Sequence, residues 1–133
     1  MKKKILMIDD DEELCEETSE ILIDQGYRVT TAFDGLTGKR LIEKYDYDIL
    51  ILDVKMPGLS GLDILQSVKE QNRELKVVIL TGKPLSRELP EERSRKDREE
   101  KILKLADAII GKPFHIEVLL DKIKELSDKA HSQ

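Results

Sequence analysis

A chain of 133 residues with 28 acids against 23 bases and a formal net charge of -5 can bury one hydrophobic core and is too short for two full domains. That acidic balance disfavours nucleic acid as a direct ligand, and the apolar run after the basic Met1–Lys4 stops at Asp9, Asp10 and Asp11, which excludes a signal peptide or membrane span there. The single cysteine, Cys15, excludes an internal disulfide and sits in a helix-patterned stretch, so a structural thiol in a cytoplasmic protein is expected.

Lys4 to Ile8 is a short apolar run ending abruptly in acids, the pattern of a strand buried on both faces. From Glu12 to Gln25, Leu14, Thr18, Ile21 and Leu22 share one face at helical spacing, and Gly26 follows as a stop. Arg28 to Phe33 alternates as a strand, Leu36 to Tyr45 reads as a helix, and Ile49 to Leu52 is a second apolar run, closed by Asp53. Beyond the loop with Pro57, Gly58 and Gly61, the stripe Leu62, Leu65, Val68 predicts a helix, and Val77 to Leu80 is a strand ending at Thr81. Ala108 to Ile110 is the last strand, ending at Gly111-Lys112-Pro113, and Ile116, Leu119, Leu120 and Ile123 line one face of a closing helix.

Strands alternating with helices predict an α/β fold, a doubly wound five-stranded parallel sheet with helices on both faces. In such sheets ligands bind at the carboxyl ends of the strands. Asp9 and Asp10, Asp53, Thr81 and Lys112 each stand at or just beyond the end of a different apolar run, so all are expected on one edge.

Three carboxylates at one place repel each other unless a cation joins them, and an all-oxygen ligand set suits a hard divalent ion, Mg2+ above all. Lys112 adds a positive charge and Thr81 a hydroxyl, both suited to the oxygens of a transferring phosphoryl group. A carboxylate can serve as the nucleophile, and Asp53 is the best candidate because it follows its strand alone, whereas Asp9 and Asp10 form a pair suited to holding metal.

The runs ILMIDDDEEL, LILDVKMPGLSGLDIL, VVILTG and IIGKPF resemble, in order, the signatures of response-regulator receiver domains of two-component signalling, over about residues 3 to 126. The resemblance implies the flavodoxin-like strand order 2-1-3-4-5, with a receiver domain over 1–126 and a polar C-terminal tail over 127–133. It makes Asp53 the phosphoacceptor, Asp9 and Asp10 the metal-site acids, Thr81 the switch hydroxyl and Lys112 the phosphate-pairing lysine. It further implies Mg2+ as cofactor, a metal contact from the main-chain carbonyl of Lys55, and a cis peptide before Pro113. The phosphodonor would be a sensor histidine kinase or phosphotransfer protein, and the output a partner protein, or a second copy, met through the fourth and fifth helices. Such a chain is a phosphoacceptor that assists its own phosphorylation and dephosphorylation rather than an enzyme with a separate substrate. No output domain follows residue 126, so a stand-alone receiver or the receiver of a longer regulator is expected.

Three features depart from the family pattern. Ile109 stands three positions before Lys112, where receivers usually carry the aromatic whose swing reports phosphorylation. Lys55 and Lys83, two residues beyond Asp53 and Thr81, place cations where they can alter the aspartyl-phosphate lifetime. The segment between Thr81 and Lys112 is longer than the family norm by about nine residues, a surface insertion. From Ser86 to Lys101 six acids face six bases, and Glu91/Arg95, Glu92/Lys96 and Asp97/Lys101 have the acid-first spacing that supports an exposed helix, with Pro90 at its start. A lengthened fourth helix is predicted, apolar only towards Ile102, Leu103, Leu105 and Ala106. A solvated helix without a partner accounts for the charged stretch as well as a docking surface does.

Taken singly, the signals have ordinary explanations. Paired acids suit a helix N-terminus, Lys-Pro and Thr-Gly are common turn pairs, Phe114 is a packing residue, and His115 and His131 have no metal-ligand company. A haloacid dehalogenase-like phosphatase would share the acids after the first strand, but it needs a further acidic motif and usually a cap. A pseudo-receiver working without phosphorylation is the binding-module alternative, although all five site positions are intact here.

Overall fold

The computed structural model describes residues 2–56, 59–72, 74–82 and 90–131, with the main chain alone at 90–96 and 129–131. Pro57, Gly58 and Lys83 lie outside the described residues.

Five strands and five helices alternate: β1 (Lys4–Ile8), α1 (Glu12–Asp24), β2 (Arg28–Ala32), α2 (Gly35–Lys44), β3 (Ile49–Asp53), α3 (Gly61–Gln71), β4 (Lys76–Thr81), α4 (Pro90–Leu103), β5 (Ala108–Gly111) and α5 (Ile116–His131). The strands form one parallel sheet in the order β2-β1-β3-β4-β5, with β3 central and buried along its whole length. The architecture expected from the sequence is the one found. Strand and helix ends shift by a residue or so, and β3 takes in Asp53 itself. Residues 127–131, read from the sequence as a polar tail, continue α5, with Ser127 buried beside Leu126.

Alternation along the central strands divides the core between two faces. Ile5, Met7, Ile49, Ile51, Val78, Leu80 and Ile110 pack against Cys15 and Leu22 of α1 and Leu119, Ile123 and Leu126 of α5. Leu6, Ile8, Leu50, Leu52, Val77 and Ile79 turn the other way, towards Leu41 and Ile42 of α2, Ile64, Leu65 and Val68 of α3, and Ile102, Leu103 and Ala106 beside α4. Side-chain caps start three of the helices. Asp11, Asp34 and Ser60 accept the N–H groups of Leu14, Thr37 and Asp63, satisfying main-chain donors that a helix start leaves free.

α4 is helical from Pro90, as the fixed φ of proline at a first helical position allows. Asp97, Arg98, Glu100 and Lys101 are exposed on it. Its apolar residues come only at its end, and among the described residues its contacts with the core are those of Ile102 and Leu103.

Candidate functional site

Parallel register explains why residues remote in sequence meet. Ile8 pairs with Leu52, so the next residues, Asp9 just past β1 and Asp53 at the end of β3, stand side by side. Thr81 pairs with Gly111, which sets Lys112 next along the same edge. The Lys112 N–H donates to the Thr81 carbonyl at 2.7 Å, holding the two turns together.

Each acid is oriented by main-chain groups. Asp9 is fully buried, accepts the Asp11 N–H on Oδ1 at 3.0 Å, and receives the Cys15 thiol on its carbonyl at 3.4 Å. Asp53 is only 6% exposed and accepts the Lys55 N–H on Oδ1 at 3.3 Å. Gly61, at the start of α3, packs so closely that a Cβ there would run into the Asp53 carbonyl, and its N–H donates to the Val54 carbonyl at 3.2 Å. The absence of a side chain at Gly61 thus lets α3 close over the Asp53 turn.

Oxygen atoms from Asp9, Asp10 and Asp53 lie within 4.8 Å of one another. The Lys112 ammonium reaches Asp9 Oδ2 at 2.7 Å and Asp53 Oδ1 at 3.7 Å. Burial and the adjacent Asp9 push the Asp53 carboxyl up to about 6, against the opposing pull of Lys112 and the Lys55 N–H. Burial works against the charged form of Lys112, but its hydrogen bond to Asp9 and the attraction of Asp9, Asp53 and Asp11 prevail and hold its pKa above the usual lysine value. Burial, then Asp9 and Asp11, push the Cys15 thiol up to about 12, so it packs beneath the acids as an unreactive thiol.

The structure therefore brings Asp9, Asp10, Asp53, Thr81 and Lys112 to one edge, and the peptide before Pro113 is cis. The Thr81 hydroxyl is engaged by its own turn, donating to the Gly82 carbonyl at 3.2 Å. Ile109, three residues before Lys112, is half exposed on β5. The Lys55 side chain is exposed and lines an open cleft with Met56, Ser60, Leu62 and Glu99 of α4. Sequence reasoning did not find the Lys112–Asp9 bond, because position after a strand says where a residue emerges and not which carboxylate its side chain selects.

The profile of the response regulator receiver domain matches residues 5–124. The chain belongs to that family. This receiver domain is 32% identical over 121 residues to the transcriptional regulatory protein DltR of Streptococcus agalactiae, covering 91% of this chain and 50% of that protein. It is 28% identical over 130 residues to TctD of Salmonella typhimurium, covering 98% of this chain and 54% of that protein. The receiver domain thus spans about half the length of these curated relatives. Among solved structures, a CheY-like receiver domain protein from Methanospirillum hungatei superposes with a TM-score of 0.84 at 28% identity, covering 98% of each chain. The response regulator TrrA of Thermotoga maritima, in complex with Mg(2+)-BeF, superposes at 0.76 with 31% identity, covering 95% of this chain and 99% of that one.

The acids of this receiver domain fit a divalent cation. Among the described residues, Asp9, Asp10 and Asp53 outweigh the ammonium of Lys112, and the Asp53 carboxyl is raised first by burial and then by the Asp9 charge, both of which a bound cation would offset. Among the described residues no helix is long and apolar enough to cross a membrane.

Proposed function

We propose that this chain is a phosphorylation-driven signalling switch in which Asp53 accepts a phosphoryl group from a sensor histidine kinase or a phosphotransfer protein. The observation that carries the reading is the setting of Asp53, a buried carboxylate at the end of the central strand, with two further acids and a lysine ammonium converging on it. Asp9, Asp10, Asp53 and the main-chain carbonyl of Lys55 are the groups assigned to Mg2+. When bound, that ion supplies the positive charge that lets an anionic carboxylate approach an anionic phosphoryl group.

The chemistry left to the chain is orientation and charge. The Lys55 N–H holds one Asp53 oxygen at 3.3 Å, leaving the carboxylate to attack phosphorus in line. The P–N bond of the donor phosphohistidine breaks as the Asp53 O–P bond forms, and the electron pair leaves with the imidazole. Lys112 pairs with a phosphoryl oxygen, and Thr81 exchanges its Gly82 carbonyl for another. The chain assists its own phosphorylation and its later hydrolysis. The rearranged Thr81–Lys112 edge then alters a surface on α4 and α5, read by a partner protein or a second copy of the chain, in the cytoplasm.

Incubation with acetyl phosphate and MgCl2, followed by intact mass and peptide mapping, tests the reading. A phosphoryl adduct on Asp53 that disappears with Asp53→Asn or with EDTA is expected. Turnover of phosphate esters would indicate a phosphatase, and absence of any adduct a pseudo-receiver.

A further inference from the structure

At the sheet edge opposite the site, one partly sheltered ion pair ties three elements together. The Lys69 ammonium, from the last turn of α3, contacts Asp107 Oδ2 at 2.7 Å and donates to the Leu75 carbonyl at 2.9 Å. The same Asp107 oxygen accepts the Val77 N–H at 2.8 Å, and the Asp107 N–H donates to the Val77 carbonyl at 2.8 Å. The Lys69 side chain is 10% exposed and that of Asp107 23%, so the ammonium is largely covered while the carboxylate keeps one side to solvent, and both are bound on several sides. Asp107 is the residue immediately before β5, and the turn leading to it is closed by Leu105 N–H to Ile102 carbonyl and Ala106 N–H to Leu103 carbonyl, at 2.9 and 3.0 Å.

The two ends of α4 are thus held very differently. Its far end carries the apolar Ile102 and Leu103, packed on the core, and runs into the Asp107 clamp. Its near end follows β4, whose last residue is the Thr81 assigned to the trigger, and Asp97, Arg98, Glu100 and Lys101 contribute exposed charge rather than core. Shifting the far end breaks the Lys69–Asp107 ion pair and the two hydrogen bonds between Asp107 and Val77, whereas Asp97, Arg98, Glu100 and Lys101 in the first half are exposed and carry no part of the core.

We propose that the Lys69–Asp107 clamp is the fixed pivot of α4, so that phosphorylation moves or unwinds only the polar half up to Lys101 while Ile102–Asp107 and β5 stay in place. This rests on the phosphorylation reading above and identifies the part of the output surface that changes. The moving part is the charged half-helix, and the half-exposed Ile109 belongs to the static part.

Hydrogen exchange with mass spectrometry on the full chain, with and without Mg2+ and beryllofluoride, tests the pivot, alongside acetyl phosphate labelling of Asp53. In the wild type, exchange in 90–101 should change by about threefold or more while 102–107 stays level. In Lys69→Met the change should spread into 102–107, and the Val77 and Asp107 amides should exchange faster even without beryllofluoride. Asp107→Asn, which keeps an oxygen for Val77 and weakens the ion pair, should fall between the two and serves if Lys69→Met is poorly folded. A wild-type response running through 102–107, or a Lys69→Met pattern identical to wild type, overturns the pivot. Asp53 labelled without any response in α4 overturns it and leaves the phosphorylation reading standing, whereas an unlabelled Asp53 overturns both.

Discussion

Lys112 lies closer to Asp9 than to Asp53: its ammonium is 2.7 Å from Asp9 Oδ2 and 3.7 Å from Asp53 Oδ1. The lysine therefore occupies the charge environment that a divalent ion would share. Replacing it with methionine removes a like charge from the neighbourhood of that ion, and Mg2+ binding should tighten by about tenfold, roughly 1.4 kcal/mol. The same change removes the partner of the phosphoryl oxygens, so the beryllofluoride-induced response should weaken although Mg2+ binds better. Calorimetric titration with MgCl2 checks the first outcome, and weaker Mg2+ binding in Lys112→Met would mean that the lysine organises the acids more than it repels the ion.

Asp53→Asn should stabilise the metal-free protein near neutral pH. The Asp53 carboxyl is raised from 3.8 to about 6 by burial and then by Asp9, so the folded state holds its proton more tightly than the unfolded chain does. The stability linked to that proton is fully present below 3.8 and is lost as pH rises through about 6. Asparagine has no charge to bury, and the gain should be on the order of 2 kcal/mol at pH 7.5, shrinking towards pH 4. Urea unfolding in EDTA at the two pH values measures it. A gain of equal size at both would place its origin outside the titration of Asp53.

The sheet and the site edge were legible in the sequence because both follow from short apolar runs that end in polar residues. Ile49–Leu52 followed by Asp53, and Val77–Leu80 followed by Thr81, mark strand and site position together. Side-chain pairing was not legible. Lys69 is one of 23 bases and Asp107 one of 28 acids, and nothing in their local pattern separates the sheltered pair from exposed ones. The end of the last helix was missed for a related reason. Polar residues after Leu126 read as a tail, but Leu126 packs in the core and Ser127 is buried beside it, and the helix runs on to His131.

Gly61→Ala tests how tightly α3 closes on the Asp53 turn. The added methyl would meet the Asp53 carbonyl and the Val54 Cα, main-chain atoms that cannot rotate away. A loss of about 2 kcal/mol in urea unfolding is expected from such overpacking, outweighing the helix propensity gained from alanine. Because relief requires the Asp53 turn to shift, Mg2+ affinity should fall as well. Loss of stability with unchanged Mg2+ binding would show that α3 yields and the turn does not.

Lys55→Ala addresses the lifetime of the phosphoryl group. Its main-chain N–H stays on Asp53 Oδ1 in the variant, so attack geometry is preserved, while the exposed side chain, which lines the cleft with Met56, Ser60, Leu62 and Glu99, is removed. Removing a side chain two residues beyond the phosphoacceptor opens more room for water, and dephosphorylation should speed up by about threefold, roughly 0.65 kcal/mol in the barrier. Loss of label from the wild type and the variant, followed after quenching of acetyl phosphate, gives the two rates. A slower rate in the variant would assign Lys55 to drawing water or charge towards the phosphoryl group instead of shielding it.

Thr81→Ala separates acceptance of phosphate from its transmission. Among the described residues the Thr81 hydroxyl donates to the adjacent Gly82 carbonyl, at 3.2 Å on the exposed side of the turn, so its removal should change stability by no more than about 0.5 kcal/mol. Asp53, the acids and Lys112 are untouched, and acetyl phosphate should still label the chain. What disappears is the hydroxyl that must leave Gly82 for the phosphoryl oxygen, and with it the pull on the start of α4. Beryllofluoride should therefore bind the variant while the exchange response in 90–101 falls to near zero. If that response survives in full, Lys112 alone draws the edge inward, and the trigger lies on the β5 side of the site.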